Sequence, residues 1–247
     1  VYCPETGIID YLEVCRKLSE KIQEKGEVKT GAAVINIEHR PNRITVATET
    51  SEYETRFLIN CAGLFSDQVA ELAGVERQVR IVPFRGEYYV LKERAKHLVK
   101  NLIYPVPDPR YPFLGVHFTR TIHGEIEAGP NAVLAWAREG YKKSDVNVKE
   151  MWDYLSYGGF WRMAGKYWTI ALGEYYRSFF KGAFVHALQK LVPEITVNDV
   201  SSSPAGVRAQ ALSADGQLVD DFVINNTGNM IHVINAPSPA ATSSLAI

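Results

Sequence analysis

Three arginines lie in strand-like segments among apolar or small residues, a setting in which a charged side chain is unusual. Arg85 follows a Pro-Phe pair, Arg120 ends an alternating apolar and polar run, and Arg208 lies among small residues. Arginine binds carboxylates through two parallel hydrogen bonds from one planar group. Together the three predict a site for an anionic substrate, although each one alone could be solvated or paired with a nearby glutamate.

Two histidines, His117 and His232, are candidate proton acceptors. An unperturbed imidazole has a pKa of about 6.5, which suits general base catalysis near neutral pH. A single histidine more often has a structural hydrogen bond, so the residues alone leave the choice open. Tyr88 and Tyr104 could orient a substrate hydroxyl or carboxylate, but they could equally belong to the core.

Composition and spacing argue against several other functions. The 247 residues carry a net charge of -1 without a basic run longer than two residues, so a nucleic-acid partner is not expected. Six histidines and three cysteines show neither HExxH nor CxxC spacing, which predicts free thiols and no metal site. We find no signal peptide and no run near the ~20 apolar residues of a membrane helix. A cytoplasmic protein is expected, with peripheral membrane contact left open for the aromatic region 154–180.

The apolar periodicity predicts the elements that position these residues. A helix is expected over 11–25, where Asp10 and Glu13 have capping-box spacing and Gly26 ends the pattern. Strands are expected over 32–38, 44–48 and 53–60, and the third leads through Cys61-Ala62-Gly63 into a helix over 66–73. Strand, glycine turn and helix in this order are typical of the edge of a doubly wound unit, where ligands gather at strand carboxyl ends.

The middle of the chain has a different character. Strand-like pieces over 81–91, 102–106, 113–119 and 124–128 leave no room for a helix between them, which favours an antiparallel sheet. Residues 145–191 are helical and aromatic, and the stripe formed by Tyr176, Phe180, Phe184 and Leu188 is expected to be mostly core. Strands over 205–212 and 218–225 follow. The predicted division is 1–78 and 205–247 for one α/β domain and 79–204 for an inserted domain.

The last residues combine a turn of small and amide side chains with a proline-led helix start, Pro237-Ser238-Pro239. Free N–H groups at such a start favour an anion or an electron-rich edge, and small side chains allow close approach of a flat ligand. The first residue is not Met, and Leu245–Ile247 offer no helix-ending residue. The chain is therefore expected to be a fragment.

Eight blocks, taken together and in order, strongly resemble the L-2-hydroxyglutarate oxidase/dehydrogenase family of the FAD-dependent D-amino-acid-oxidase superfamily. The blocks are Thr6–Tyr11, Asn60–Asp67, Pro83–Tyr89, Gly115–Arg120, Gly129–Leu134, Arg138–Tyr141, Gly206–Ala211 and Asn235–Thr242. The resemblance covers essentially the whole chain. His123 departs from it, because the family usually has an aspartate there.

The resemblance implies an α/β fold with α+β character: part of a doubly wound FAD-binding domain, carrying an inserted, mostly antiparallel substrate domain. The glycine fingerprint with which family members begin is missing from this sequence. We therefore expect these 247 residues alone to bind FAD poorly. The residues implied to contact FAD are Val34, Cys61, Ala62, Gly63, Gly228, Asn229, Ile231, His232, Pro237 and Ser238.

The resemblance also implies oxidation of L-2-hydroxyglutarate to 2-oxoglutarate by hydride transfer to the flavin. Arg208 and either Arg85 or Arg120 would hold the two carboxylates, beside Tyr88. His117 is the first choice for the base and His232 the second. The alternatives are a related flavoenzyme for another 2-hydroxy acid, glycerol 3-phosphate or an amino acid, and a non-catalytic carboxylate-binding module. Oxygen and a quinone both remain open as electron acceptor.

Overall fold

A computed structural model describes residues 2–107, 113–238 and 240–244 of the chain. Its α-helices are α1 (Tyr11–Gln23), α2 (Ser66–Leu72), α3 (Val148–Leu155), α4 (Gly158–Phe179), α5 (Lys181–Leu188) and α6 (Ala240–Ser244). Its strands are β1 (Val34–Arg40), β2 (Arg43–Thr48), β3 (Glu52–Thr55), β4 (Leu58–Asn60), β5 (Val79–Leu91), β6 (His117–Arg120), β7 (Ile126–Gly129), β8 (Val133–Leu134), β9 (Val200–Ser213), β10 (Val223–Thr227) and β11 (Met230–Asn235). The predicted helix end at Leu245–Ile247 lies outside the described residues.

The chain divides into two compact units, and the fold as a whole is mixed α/β. The first unit comprises Val1–Thr30, Gly86–Ala132 and Leu172–Ala205; the second comprises Gly31–Arg85, Val133–Ala171 and Gly206–Ile247. The division predicted at 78/79 and 204/205 stays a prediction.

The first unit is built on antiparallel pairing of β6 with β7 and of β7 with the end of β5. One face of this sheet packs against α5. The buried residues there include Phe118, Ala128, Phe184 and Leu188, each fully or almost fully excluded from solvent. This confirms the antiparallel sheet that the sequence predicted in the middle of the chain.

The second unit contains two three-stranded sheets. One is the antiparallel meander β1-β2-β3, and the other has the order β10-β11-β4, in which β4 runs parallel to β11. Helix α2 begins shortly after β4 and ends at Leu72, two residues before Gly74, whose φ of 79° suits a glycine. The strand, glycine turn and short helix predicted over 58–74 are therefore confirmed.

Three predictions about single elements need correction. The run over 53–60 is two strands, because β3 extends the meander whereas β4 pairs with β11. A 3-10 helix, Glu93–Leu98, lies in the region expected to contain only strands. The segment over 102–106 contributes an isolated bridge, Ile103 to Phe118, in place of a strand.

The aromatic stripe expected in the core is divided. Phe184 and Leu188 are fully buried, as predicted, but Tyr176 and Phe180 are 59% and 57% exposed. Helical spacing identifies a shared face, and it does not determine how far along that face a neighbouring element reaches. Among the helices that the structure describes, none has the length and apolarity needed to cross a membrane.

Candidate functional site

One face of the sheet in the first unit carries two of the predicted site residues. His117 of β6 pairs with Gly129 of β7, and Tyr89 of β5 pairs with Ala128. Gly129 is therefore flanked by His117 on one side and by Tyr88 on the other. Tyr89 and Ala128 face the core, so alternation along the strands turns His117 and Tyr88 to the opposite face.

Gly129 keeps the space between these two residues free of a side chain of its own. A Cβ at this position would lie 2.7 Å from the Glu87 carbonyl oxygen and 3.2 Å from the ring of Tyr88. Its φ of 145° is a second reason for glycine. The Tyr88 ring therefore occupies the space beside Gly129, in the row that contains His117.

The hydrogen bond of His117 determines its tautomer. Nδ1 lies 3.0 Å from the Gly115 carbonyl oxygen, and a carbonyl can only accept, so Nδ1 carries the proton. In the neutral ring Nε2 is then the basic nitrogen. The ring of Tyr104 stacks on this imidazole with a centroid distance of 4.2 Å and an interplanar angle of 19°. A neutral imidazole with the proton on Nδ1 and a basic Nε2 is the form that a general base requires.

A carboxyl group that the sequence analysis did not identify lies on the same face. Glu127 pairs with Thr119, two residues after His117 on β6. Burial raises the pKa of the Glu127 carboxyl, and Glu125 adds a smaller contribution. The sequence signal that could have identified Glu127 is its position in a strand-like segment, two residues before Gly129.

The predicted arginines lie in different surroundings. Arg120 is exposed, and alternation along β6 directs it away from the face of His117. In the second unit, Arg85 is 3% exposed and donates from Nη1 to the Lys142 carbonyl oxygen at 3.3 Å. Arg208 is exposed on β9 and shares the sheet face of Leu212. Arg85 lies on the opposite face, with Ile81. Their roles in carboxylate binding stay predictions.

Two predicted cofactor segments leave neighbouring parallel strands at their carboxyl ends. Cys61-Ala62-Gly63 follows β4, and Pro237-Ser238 follows shortly after β11. Residues 61–63 are exposed, and Gly63 has a φ of 55° with open space where a Cβ would be. The carboxyl end of parallel strands is the usual place for a ligand in α/β folds.

A chain of hydrogen bonds holds the first of these turns. Asn60 accepts from the Ala62 N–H at 3.0 Å, and its amide donates to the Ser66 carbonyl at 2.8 Å. The same amide nitrogen lies 3.2 Å from Nδ1 of His232. Since the amide nitrogen can only donate, Nδ1 accepts and Nε2 carries the proton in the neutral ring.

His232 is fully buried, and burial lowers its pKa. Within the described residues, Nε2 of this histidine is buried without a hydrogen-bond partner. An imidazole that is buried and protonated on Nε2 is poorly suited to take a proton from a substrate. The geometry therefore favours His117 over His232 as the base.

The remaining predicted cofactor residues are spread over the second unit. Ile231 pairs with Ile59 near the turn at residues 61–63. Gly228 and Asn229 form the hairpin between β10 and β11, at the other end of β11 from Pro237, and Asn229 binds His39 at 2.8 Å. Val34 packs against the buried residues of the β1-β2-β3 meander. The structure thus groups residues 61–63 with His232, apart from residues 228–229.

A buried ionic network supports the turn, and the sequence analysis assigned it no role. Arg138 is 1% exposed and donates to both carboxylate oxygens of Asp67, at 2.7 and 3.1 Å, and to the Leu64 carbonyl oxygen. It also donates to Asp153 at 2.8 Å, which Arg77 approaches to 2.9 Å. Burial favours the neutral form of Asp153, but the charges of Arg77 and Arg138 outweigh it and lower the pKa of this carboxyl. The only sequence signal was that Arg138 and Asp67 both fall within blocks of family resemblance.

These residues fit one side of a flavin site. The turn over 61–63 is exposed next to a buried, hydrogen-bonded polar cluster, and the buried Nε2–H of His232 adds an unpaired donor among the described residues. The 247-residue sequence has no glycine-rich fingerprint to cradle the pyrophosphate. The fit is therefore partial, and it is confined to the turn over 61–63, the cluster around Arg138 and His232.

Comparison with known proteins identifies the family of the chain. A family model described as FAD dependent oxidoreductase, DAO, matches residues 1–247. The chain is 53% identical to an L-2-hydroxyglutarate dehydrogenase of Indibacter alkaliphilus, covering 100% of this chain and 62% of that protein. It is 46% identical to the mitochondrial L-2-hydroxyglutarate dehydrogenase of Homo sapiens, covering 99% of this chain and 57% of that one. The chain thus spans about three fifths of the length of these relatives.

Solved structures show the same fold at low identity. L-alpha-glycerophosphate oxidase of Mycoplasma pneumoniae matches with a TM-score of 0.66 and 18% identity over 94% of this chain and 52% of that one. L-proline dehydrogenase of P. horikoshii matches with a TM-score of 0.55 and 12% identity over 91% of this chain and 50% of that one. With the family model matching from the first residue to the last, the chain belongs to the DAO family of FAD-dependent oxidoreductases.

Proposed function

We propose that the protein oxidises L-2-hydroxyglutarate to 2-oxoglutarate, as part of an FAD-dependent dehydrogenase or oxidase. The main observation in support of this proposal is the 53% identity along the whole chain to an L-2-hydroxyglutarate dehydrogenase. The structures of enzymes with other substrate names match only in fold, at 18% identity or less. We also propose the finer architecture, a doubly wound FAD-binding domain with an inserted substrate domain.

In this proposal the turn at Cys61-Ala62-Gly63, together with Pro237-Ser238 and His232, lies against the FAD. The bound flavin supplies a hydride acceptor, which amino-acid side chains lack. Asn60 and Arg138 hold the turn from the protein side, through the Ala62 N–H and the Leu64 carbonyl oxygen. The contacts proposed for Val34, Gly228, Asn229 and Ile231 rest on the resemblance alone.

His117 takes the proton of the substrate hydroxyl at Nε2. Three features support this role: the tautomer set by Gly115, the stacking of Tyr104, and the position of His117 on the sheet face opposite the core. Tyr88, in the same row, orients the substrate. Removal of the hydroxyl proton is what allows the neighbouring carbon to release its hydride.

Arg208 binds one carboxylate of the substrate, since it is exposed on a strand lined by small residues. Arg85 and Arg120 remain the candidates for the second carboxylate. The buried Arg85 already donates to a backbone carbonyl, and Arg120 points away from the face of His117. Replacing each of them by Met in the holoenzyme distinguishes the two candidates. Replacement of the arginine that binds the second carboxylate should raise KM for L-2-hydroxyglutarate more than KM for L-lactate, which has only one carboxylate.

The direct test is a panel of substrates presented to the holoenzyme, with the 2-oxo product measured. We expect turnover of L-2-hydroxyglutarate at least 100-fold above that of its D-enantiomer, glycerol 3-phosphate and L-proline. Preference for glycerol 3-phosphate or an amino acid would assign the protein to another substrate. A protein that binds a dicarboxylate but turns over nothing in the panel would be a binding module, and the proposal would be wrong.

A further inference from the structure

Tyr104 is brought beside His117 by the backbone. Ile103 and Phe118 exchange two hydrogen bonds, with N–O distances of 3.0 and 2.9 Å. This isolated antiparallel bridge makes Tyr104 the lateral neighbour of His117 and puts both on the face opposite Phe118, which is fully buried. Main-chain geometry therefore brings the backbone of Tyr104 next to that of His117, on the same face.

The Tyr104 side chain is held at both of its ends. Its ring stacks on the imidazole of His117 at 4.2 Å, and its hydroxyl lies 3.3 Å from the hydroxyl of Thr119. Thr119 shares the face of His117, two residues further along β6. A ring anchored in this way remains over the imidazole, although 47% of the residue is exposed.

We infer that Tyr104 is a positioning residue for His117, which holds the plane of the imidazole and stabilises its protonated form. This role rests on the proposed function of His117 as the base. An aromatic face attracts a cation, and the imidazolium that forms when His117 takes up the proton is such a cation. The Gly115 carbonyl also holds the ring, at its edge, by accepting from Nδ1.

Two other ionisable side chains lie on the same face as His117. Tyr88 lies across Gly129 from it, and Glu127 of β7 lies opposite Thr119. Both belong to other strands, so replacing Tyr104 leaves these two residues in the protein unchanged. A change in the titration of His117 on replacing Tyr104 alone therefore measures the contribution of that ring.

The test uses Tyr104→Leu and Tyr104→Phe in the holoenzyme, and it does not depend on turnover. The pKa of the His117 imidazole is followed by NMR. Loss of the ring in Tyr104→Leu should lower this pKa by about half a unit, the size expected for a partly exposed cation–π contact. Tyr104→Phe keeps the ring and should stay within about 0.2 units of the wild type.

Kinetics provide the second measurement. In the pH profile of kcat/KM, the acidic limb should move to lower pH in Tyr104→Leu, and its plateau should fall about tenfold because the base is weaker and less well oriented. Tyr104→Phe should lose less than threefold. Tyr141→Leu is the control, since Tyr141 is also 47% exposed and lies in the other unit.

Two results would overturn the inference. One is an unchanged His117 pKa in Tyr104→Leu, and the other is an equal shift in Tyr104→Phe, which would assign the effect to the hydroxyl. A protein inactive on every substrate would instead contradict the proposed function, while the NMR titration would still measure the ring contact.

Discussion

The carbonyl of Gly115 does more for His117 than hold it in place. By accepting from Nδ1 it leaves Nε2 as the basic nitrogen, whereas the amide of Asn60 imposes the opposite tautomer on His232. Residue type and strand-like surroundings alone did not distinguish the two histidines, and only the family resemblance put His117 first. Their hydrogen-bond partners are distant in the chain or depend on backbone direction, so the sequence could not separate them.

Replacing His117 tests its role as the base. In His117→Ala we expect kcat to fall by at least about 100-fold, the lower limit of a general base contribution, with little change in FAD content. His97→Ala, at an exposed position outside the site, is the matched control. Turnover of His117→Ala within a few-fold of the wild type would mean that another group takes the proton.

Burial of His232 also makes the free energy of unfolding depend on pH. Its pKa is lower in the folded protein than the ordinary 6.5, so the unfolded chain binds more protons near and below that value. The stability contributed by neutral His232 is complete above about pH 6.5 and is lost as the pH falls towards the lowered value. In His232→Asn this part of the acid sensitivity should disappear, as measured by urea unfolding between pH 5 and 8; an unchanged pH dependence would contradict it.

At the scale of elements, the network around Arg138 connects α2, α3 and the turn that follows β4. In Arg138→Met the carboxylate of Asp67, less than 2% exposed, would lose two hydrogen bonds. Removing one partner from a buried pair costs about 3–5 kcal/mol, so we expect the free energy of unfolding to fall by that amount. Arg16→Met, which removes an exposed pair with Glu13, should cost less than about 1 kcal/mol.

The pH dependence of the same variant follows from Asp153. Its pKa lies below the ordinary value of 3.8, so its ion pairs stabilise the fold above that pH and this contribution is lost as the pH falls through the lowered value. The difference between wild type and Arg138→Met should therefore shrink below about pH 4. Chemical unfolding at a series of pH values from 7 down to about 2.5 measures it, and a difference that stays constant over this range would contradict the assignment.

The sequence predicted elements with a local signal better than elements with a distant partner. Helix α1 follows from Asp10, which accepts from the Leu12 N–H, and from its apolar spacing. The break between β3 and β4 depends on β11, about 170 residues later, so no pattern within 53–60 could place it. The burial of Phe184 beside the exposure of Phe180 likewise depends on which strands lie next to the helix.

For the whole molecule, family and cofactor class were predictable because long blocks in order carry the resemblance. The candidate site was only partly predictable. His117, Tyr88 and the turn over 61–63 came from the sequence, whereas Glu127, Arg138 and the contact of Tyr104 with His117 required strand register and tertiary packing. The predicted substrate and FAD contacts are also divided between the two units.

We propose that the flavin of the holoenzyme accepts a hydride from L-2-hydroxyglutarate. Anaerobic titration of the purified holoenzyme, followed at the flavin absorption band, tests it most directly. We predict that one equivalent of L-2-hydroxyglutarate bleaches the bound flavin and yields one equivalent of 2-oxoglutarate, while the D-enantiomer leaves the spectrum unchanged. A flavin that stays oxidised with L-2-hydroxyglutarate but bleaches with glycerol 3-phosphate or an amino acid would show that the proposed substrate is wrong.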